Sequence, residues 1–111
     1  MKNLNVRKEY KLAKHFDLFG KEYTLDYVDS IKSEKDNEVT YGITCHPEGT
    51  IHIAKNIRNL KRSKKDLEIT KLHEIMHAIF DAGSYHREND DEPLVEWCAR
   101  CLYSLKQQGV L

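Results

Sequence analysis

The sequence lacks the features that mark membrane-spanning, disulfide-rich or repetitive proteins. No apolar run among its 111 residues approaches the ~20 residues that a membrane-spanning helix needs. The three cysteines are too few, and odd in number, for a disulfide framework, which favours a reducing compartment. The basic N-terminus has no apolar stretch that would serve as a signal peptide, and we find no repeat or linker. We therefore predict a cytoplasmic protein without a membrane partner.

The composition is that of one small globular domain. Hydrophobic residues make up 40% and charged residues 32% of the chain, so we predict a single compact domain over residues 1–111. The zero net charge hides an asymmetry: residues 1–65 hold 14 Lys+Arg against 9 Asp+Glu, and residues 66–111 hold 4 against 9. The densest basic stretch contains Arg58, Lys61, Arg62, Lys64 and Lys65. We interpret these as solvated charges before a helix and expect no nucleic-acid partner.

The first half of the chain has the alternation of β-strands. Apolar and aromatic side chains alternate roughly around a glycine, at Phe16, Leu18, Gly20, Tyr23, Leu25 and Tyr27. This pattern predicts two short strands joined at "FGKE". Two further strand-like runs, 39–45 and 50–54, flank the turn sequence "HPEG" and predict a second hairpin.

The periodicity becomes helical in the second half. Ser63 and Asp66 have the spacing of a capping box, and Gly83 can end the helix that begins there. Its apolar positions are Leu67, Ile69, Leu72, Ile75, Met76, Ile79 and Phe80. We predict a loop over 84–92 and a second amphipathic helix from Pro93 to Gly109. The predicted fold is α+β, with a small antiparallel sheet followed by two helices on one face.

The segment "HEIMH", residues 73–77, has the pattern of a catalytic zinc site. His73 and His77 lie one helical turn apart, so both imidazoles can reach one metal ion. Neutral imidazole is a good ligand for Zn²⁺, and a catalytic zinc usually has three protein ligands. Glu74, next to the first histidine, can act as the general base toward water. His-Glu-x-x-His on a helix is the combination these roles require.

The third ligand is not fixed by the motif. Glu96 lies in the second predicted helix and Glu92 directly before its first residue; that helix can return antiparallel to the first, and His86 lies in the predicted loop. A ligand must sit at the seam between packed helices, and Glu92 lies nearer than Glu96 to the edge of that helix's apolar stripe. We therefore favour Glu92, with Glu96 and His86 as alternatives.

The segment "ITKLHEIMHAIF", followed by "DEPLVEWCARCLYSL", resembles the ImmA/IrrE-like zinc metallopeptidases of phages and mobile elements. The short phage-encoded, minigluzincin-type members are most similar, and in them a hairpin like "YGITCHPEGTIHIAKN" precedes the HExxH helix. The likeness covers about residues 39–105. It implies a zincin-like fold, zinc ligation by His73 and His77, Glu74 as general base, and a glutamate of the last helix as third ligand. The better-known relatives cleave repressor proteins.

These observations favour a zinc-dependent metallopeptidase of the gluzincin type that hydrolyses a peptide bond in a protein substrate, such as a phage repressor. In zincin-type enzymes an edge strand beside the active helix pairs with the substrate, and residues 39–45 or 50–54 are candidates for it. The candidate stabilisers of a developing oxyanion are Tyr41, His46, His52 and Tyr85. The alternative function is a non-catalytic, zinc-containing phage accessory module that binds a protein partner. A third hypothesis is an interaction domain without zinc, and no oligomeric state follows from the sequence.

Overall fold

The computed structural model describes residues 13–32 and 38–111, and within them the protein has an α+β fold. The strands are β1 (Lys14–Leu18), β2 (Lys21–Val28), β3 (Gly42–Cys45), β4 (Thr50–Ala54), β5 (Asn56–Ile57) and β6 (Leu60–Lys61). The helices are α1 (Lys64–Ala82), α2 (His86–Asn89) and α3 (Glu92–Gln107). The single domain predicted over 1–111 includes residues 1–12 and 33–37, which lie outside the described residues. No helix within the described ranges is long and apolar enough to cross a bilayer.

The main sheet is mixed, so the prediction of an antiparallel sheet was wrong. Its strand order is β1-β2-β4-β3, and β2 and β4 are parallel while the other neighbours are antiparallel. Both predicted hairpins are present, because alternation and turn residues act locally. The order of the hairpins in the sheet is not local: β3 occupies the far edge, and β4 returns between β3 and β2.

The core lies between the sheet and α1. Alternate residues of the strands face the helix, and the fully buried ones among them include Tyr23, Ile51 and Ile53. Burying each aliphatic side chain of this size contributes roughly 1.5–3 kcal/mol. Helix α3 buries Val95 and Ala99 and packs mainly on α1 rather than on the sheet. The two helices therefore form successive layers, which corrects the expectation that both cover one sheet face.

The helix boundaries follow the predicted caps closely. Ser63 caps α1 by accepting a hydrogen bond from the Asp66 amide at 3.1 Å, and Gly83 ends the helix. Helix α3 begins at Glu92, one residue before the predicted start, because Asp91 provides its N-cap. The segment 84–92 was predicted as a loop, but it contains the single-turn helix α2. Nothing in its composition favours a helix, and the turn forms where the chain reverses between α1 and α3.

The carboxylate of Asp81 ties the C-terminal end of α1 to the sheet. It accepts hydrogen bonds from the Tyr23 hydroxyl at 3.0 Å and from the Lys21 ammonium, and His46 Nδ1 lies 3.1 Å from the same oxygen. Burial alone would raise the pKa of Asp81, but these donors and the positive charges around it outweigh burial and hold the pKa below its usual value. Burial, with the Asp81 contact second, raises the pKa of Tyr23.

Candidate metal centre and its cleft

Helix α1 presents the two histidines of the motif side by side. The ring centroids of His73 and His77 are 5.0 Å apart, as expected for side chains one turn apart on one helix face. Their side chains are 17% and 14% exposed, so both rings are largely buried while one edge faces a cleft. The amphipathic pattern of α1 fixes this placement, since the turns that carry the histidines also bury Leu72 and Met76.

The carboxylate of Glu92 contacts the Nε2 atom of each imidazole ring. Its Oε2 lies 2.9 Å from Nε2 of His73, and its Oε1 lies 3.0 Å from Nε2 of His77. Among the described residues these three form the group whose donor atoms, all within 4.8 Å of one another, could hold one metal ion. The Glu92 side chain is 63% exposed, so the group opens to solvent on the side away from the core.

The outer nitrogens of the two rings are held by hydrogen-bond acceptors. His73 Nδ1 donates to Glu96 Oε1 at 2.9 Å, and His77 Nδ1 donates to Asn89 Oδ1 at 2.7 Å. A neutral imidazole carries one proton, so a ring that donates from Nδ1 presents a lone pair at Nε2. In the tautomer protonated at Nδ1, two such lone pairs face the carboxylate of Glu92. This donor set is one that a divalent cation satisfies, and the outer contacts are those that orient metal-bound histidines.

The three candidates for a third ligand are placed differently. Glu92 faces the inner nitrogens of both histidines, whereas Glu96 contacts the outer nitrogen of His73 and accepts from Arg100 Nε at 2.8 Å. His86 is exposed at the start of α2 and is not a member of the group. The geometry thus brings His73, His77 and Glu92 together, with Glu96 behind one histidine. The role of Glu92 as the third metal ligand stays a prediction.

Glu74 is buried between α1 and the edge strand β3. Its side chain accepts a hydrogen bond at Oε1 from the Thr44 hydroxyl at 2.7 Å, and the residue is 7% exposed. Gly42 allows the close approach: a Cβ there would lie 2.9 Å from Thr70 Cγ2 and 3.0 Å from Glu74 Cγ. Burial raises the pKa of Glu74, while the Thr44 hydrogen bond and the two histidines oppose that rise.

A cleft of about 1190 Å³ runs past this group. It is bounded by β3, α1, the β5–β6 hairpin and the start of α3. Strand β3 is an edge strand whose unpaired side borders the cleft, so residues 42–45 can pair with an added chain. Strand β4 lies between β2 and β3, so the alternative that residues 50–54 receive a substrate strand was wrong.

Arg62 connects the residue before β3, the end of β4 and helix α1. Its guanidinium donates to the carbonyl oxygens of Tyr41 at 3.1 Å and Ala54 at 2.9 Å, and to that of Asp66 and the hydroxyl of Thr70 on α1. Arg62 also lies 5.1 Å from the centroid of the Tyr41 ring. The interpretation of Arg62 as a solvated charge was therefore wrong, since it holds the start of β3 against α1.

The four candidate oxyanion stabilisers do not share one place. Tyr41 lines the cleft. His52 pairs with Asp26 on the sheet, His46 lies against Asp81, and the Tyr85 ring packs on Phe80 with centroids 6.5 Å apart. Of the four, only Tyr41 borders the cleft within the described residues.

Several residues of the site were not found from the sequence. Asn89 belongs to a segment predicted as loop, and no spacing rule links it to His77. The contact of Thr44 with Glu74 depends on how β3 packs against α1. Gly42 did carry a usable signal, because a glycine inside a strand often marks a close approach of another element.

Fold and site together define the class as an α+β protein with a candidate metal centre on a helix beside an edge strand. No family model matches this sequence, and no curated protein or solved structure matches it either. Functional assignment therefore depends on the chemistry of the site and on the resemblance noted in the sequence.

Proposed function

We propose that the protein is a cytoplasmic zinc-dependent metallopeptidase of the gluzincin type with a zincin-like arrangement, acting on a peptide bond of a protein substrate. The resemblance to ImmA/IrrE-like peptidases supports this and suggests a repressor of a phage or mobile element as substrate. His73, His77 and Glu92 would hold Zn²⁺, and Glu74 would be the general base. When bound there, zinc supplies Lewis-acid activation of water and of the substrate carbonyl.

One observation carries the proposal: the two histidines present Nε2 to one exposed carboxylate while their Nδ1 atoms are hydrogen-bonded from behind. An ordinary core histidine would need only one such partner. Here the outer contacts of Glu96 and Asn89 fix both rings so that their inner nitrogens face Glu92. Ring orientation of this kind is what ligand preorganisation requires.

The protein's own residues supply the remaining chemistry. Thr44 holds Oε1 of Glu74, which leaves Oε2 available to accept a proton from the attacking water. As the water oxygen bonds to the carbonyl carbon and the C–N bond breaks, Glu74 passes that proton to the leaving nitrogen. The free side of β3 would hold the substrate backbone extended beside Glu74 by main-chain hydrogen bonds.

The test separates metal binding from catalysis. Tag-free protein is analysed for zinc by mass spectrometry and incubated with candidate repressors, with and without a chelator. We expect Glu74→Gln to retain one zinc per chain and to lose more than ~100-fold in cleavage rate, because the general base is removed. We expect His73→Ala to lose the metal, because one of three ligands is gone.

The possible results discriminate between the hypotheses. Full cleavage by Glu74→Gln would refute the role of Glu74. Zinc binding without cleavage of any substrate favours the non-catalytic accessory module. Absence of zinc from the wild-type protein favours an interaction domain that does not use a metal.

A further inference from the structure

The β5–β6 hairpin carries cationic side chains to the cleft at one end of β3. Arg58 and Lys61 line the cleft, and neither forms an ion pair with another residue in 13–32 or 38–111. Four acidic side chains line the cleft: Glu74 contacts Thr44, Glu92 contacts the histidines and Glu96 contacts Arg100, while the charge of Asp66 acts on the guanidinium of Arg62. The unpaired charge at this end of the cleft is therefore positive.

The tip of this hairpin has a strained backbone. Arg58 and Asn59 form its two-residue turn with φ angles of 51° and 66°, a left-handed conformation that usually selects Asn and Gly. An arginine at the first position of this turn is less favourable for the backbone conformation than Asn or Gly. Backbone strain held beside a cleft is a reason to examine the side chain for a role.

Apolar side chains flank the free side of β3. Gly42 and Thr44 face α1, so strand alternation places Ile43, which is 40% exposed, on the opposite side of the sheet. Tyr41 precedes β3, is 53% exposed, and has its ring beside Arg62. Leu60, 73% exposed, lines the cleft on the hairpin. In a chain added to β3, a side chain opposite Ile43 would lie on the same face as Ile43. Such cross-strand positions favour apolar and β-branched side chains.

We infer that the cleft selects an extended segment of a substrate protein that is apolar beside β3 and acidic where it reaches the hairpin, with Arg58 as a specificity-determining residue. This inference depends on the peptidase function proposed above. Because Glu74 lies under residues 42–44 and the hairpin lies beyond Tyr41, the acidic side chains are displaced along the substrate from the bond that is cut.

The test uses fluorescein-labelled peptides that share an alternating Val-Ser core and carry Glu-Glu, Gln-Gln or Lys-Lys at both ends. A fourth peptide has Ser in place of Val between Glu-Glu ends. Binding to the zinc-loaded Glu74→Gln protein is measured by fluorescence anisotropy, and cleavage by the wild-type protein is followed by mass spectrometry. We expect the Glu-flanked Val peptide to bind at least about threefold more tightly than the Lys-flanked one, and the difference to shrink in high salt.

Variants of Arg58 test whether its positive charge causes the preference for Glu-flanked peptides. Arg58→Gly removes the cation and suits the left-handed backbone, so the turn should be kept, and the Glu-flanked peptide should bind about two- to fivefold more weakly. Arg58→Lys should retain most of the affinity. Lys14→Gln, an exposed charge on the opposite edge strand β1, is the matched control and should change nothing.

Each result counts for or against the inference. Equal affinity for the three flanks, no binding of any peptide, no loss in Arg58→Gly, or no preference for Val over Ser overturns it. A single-stranded oligonucleotide that outcompetes the Glu-flanked peptide through Arg58 identifies a nucleic-acid ligand and also overturns it. Arg58-dependent selection without cleavage refutes the peptidase function alone, whereas equal cleavage of all flanks refutes the selection alone.

Discussion

Replacing Glu96 by glutamine should weaken zinc binding without abolishing it. The two carboxylate oxygens of Glu96 accept from two donors, His73 Nδ1 at 2.9 Å and Arg100 Nε at 2.8 Å. A glutamine of the same shape has only one acceptor oxygen, so it can serve one of these donors but not both. Either His73 then loses its hydrogen-bond acceptor, or residue 96 loses the hydrogen bond from Arg100 that holds it in place.

The size of this effect distinguishes a supporting residue from a ligand. Loss of an outer hydrogen-bond partner of a metal-bound histidine typically costs 10–100-fold in metal affinity, or about 1.4–2.7 kcal/mol. Glu92→Gln replaces the charged carboxylate that faces both histidines and would be a metal ligand. We expect it to lower the zinc affinity by more than about 100-fold. Glu92→Gln should therefore lose more zinc affinity than Glu96→Gln.

The assay is competition for zinc with a chromogenic chelator at neutral pH, on protein whose fold is checked by circular dichroism. Glu22→Gln, an exposed charge on β2 outside the cleft, is the matched control and should bind zinc like the wild type. If Glu96→Gln loses as much affinity as Glu92→Gln or more, then Glu96 is the ligand. If it loses none, the orienting role of Glu96 is wrong.

Two further predictions concern the packing that supports the site. Gly42→Ala should lower the free energy of unfolding by about 1–3 kcal/mol in urea titrations, because its Cβ would crowd Thr70 and Glu74. Adding Thr70→Ser, which removes the closest methyl group, should restore part of that loss. If the effects of the two substitutions simply add, the predicted contact between residues 42 and 70 is wrong. Asp81→Asn should lower the melting temperature at pH 7. The depressed pKa of Asp81 makes its contribution complete above about pH 3.9 and lost as pH falls through the lower folded pKa, so the two melting temperatures should converge in acid. A constant difference down to pH 2 would refute this.

The sequence predicted those features that depend on a local period. His73, Glu74 and His77 share one helix, so their mutual placement follows from helix geometry, and Ser63 and Gly83 set the ends of that helix. The strands followed from alternation. The order β1-β2-β4-β3 did not, because alternation shows which face a residue occupies but not which strand is its neighbour.

Features that depend on how separate elements meet could not be predicted. The sequence favoured Glu92 over Glu96 only by its position nearer the edge of the apolar stripe, whereas the packing of α3 on α1 decides which of them faces Nε2. Asn89 reaches His77 through a single-turn helix that has no sequence signature. Arg62 looked like one of several lysines and arginines before a helix, and only its four acceptors show that it is structural.

The candidate ligands come from two layers of the protein, with His73 and His77 on α1 and Glu92 at the first turn of α3. An ion shared by them would link the two layers and close a loop whose ends, His73 and Glu92, are nineteen positions apart in the sequence. A ligand at 100 times its Kd stabilises the folded state by about 2.7 kcal/mol. The lifetime of this protein against heat and cellular proteases would then rise and fall with the free zinc of its surroundings.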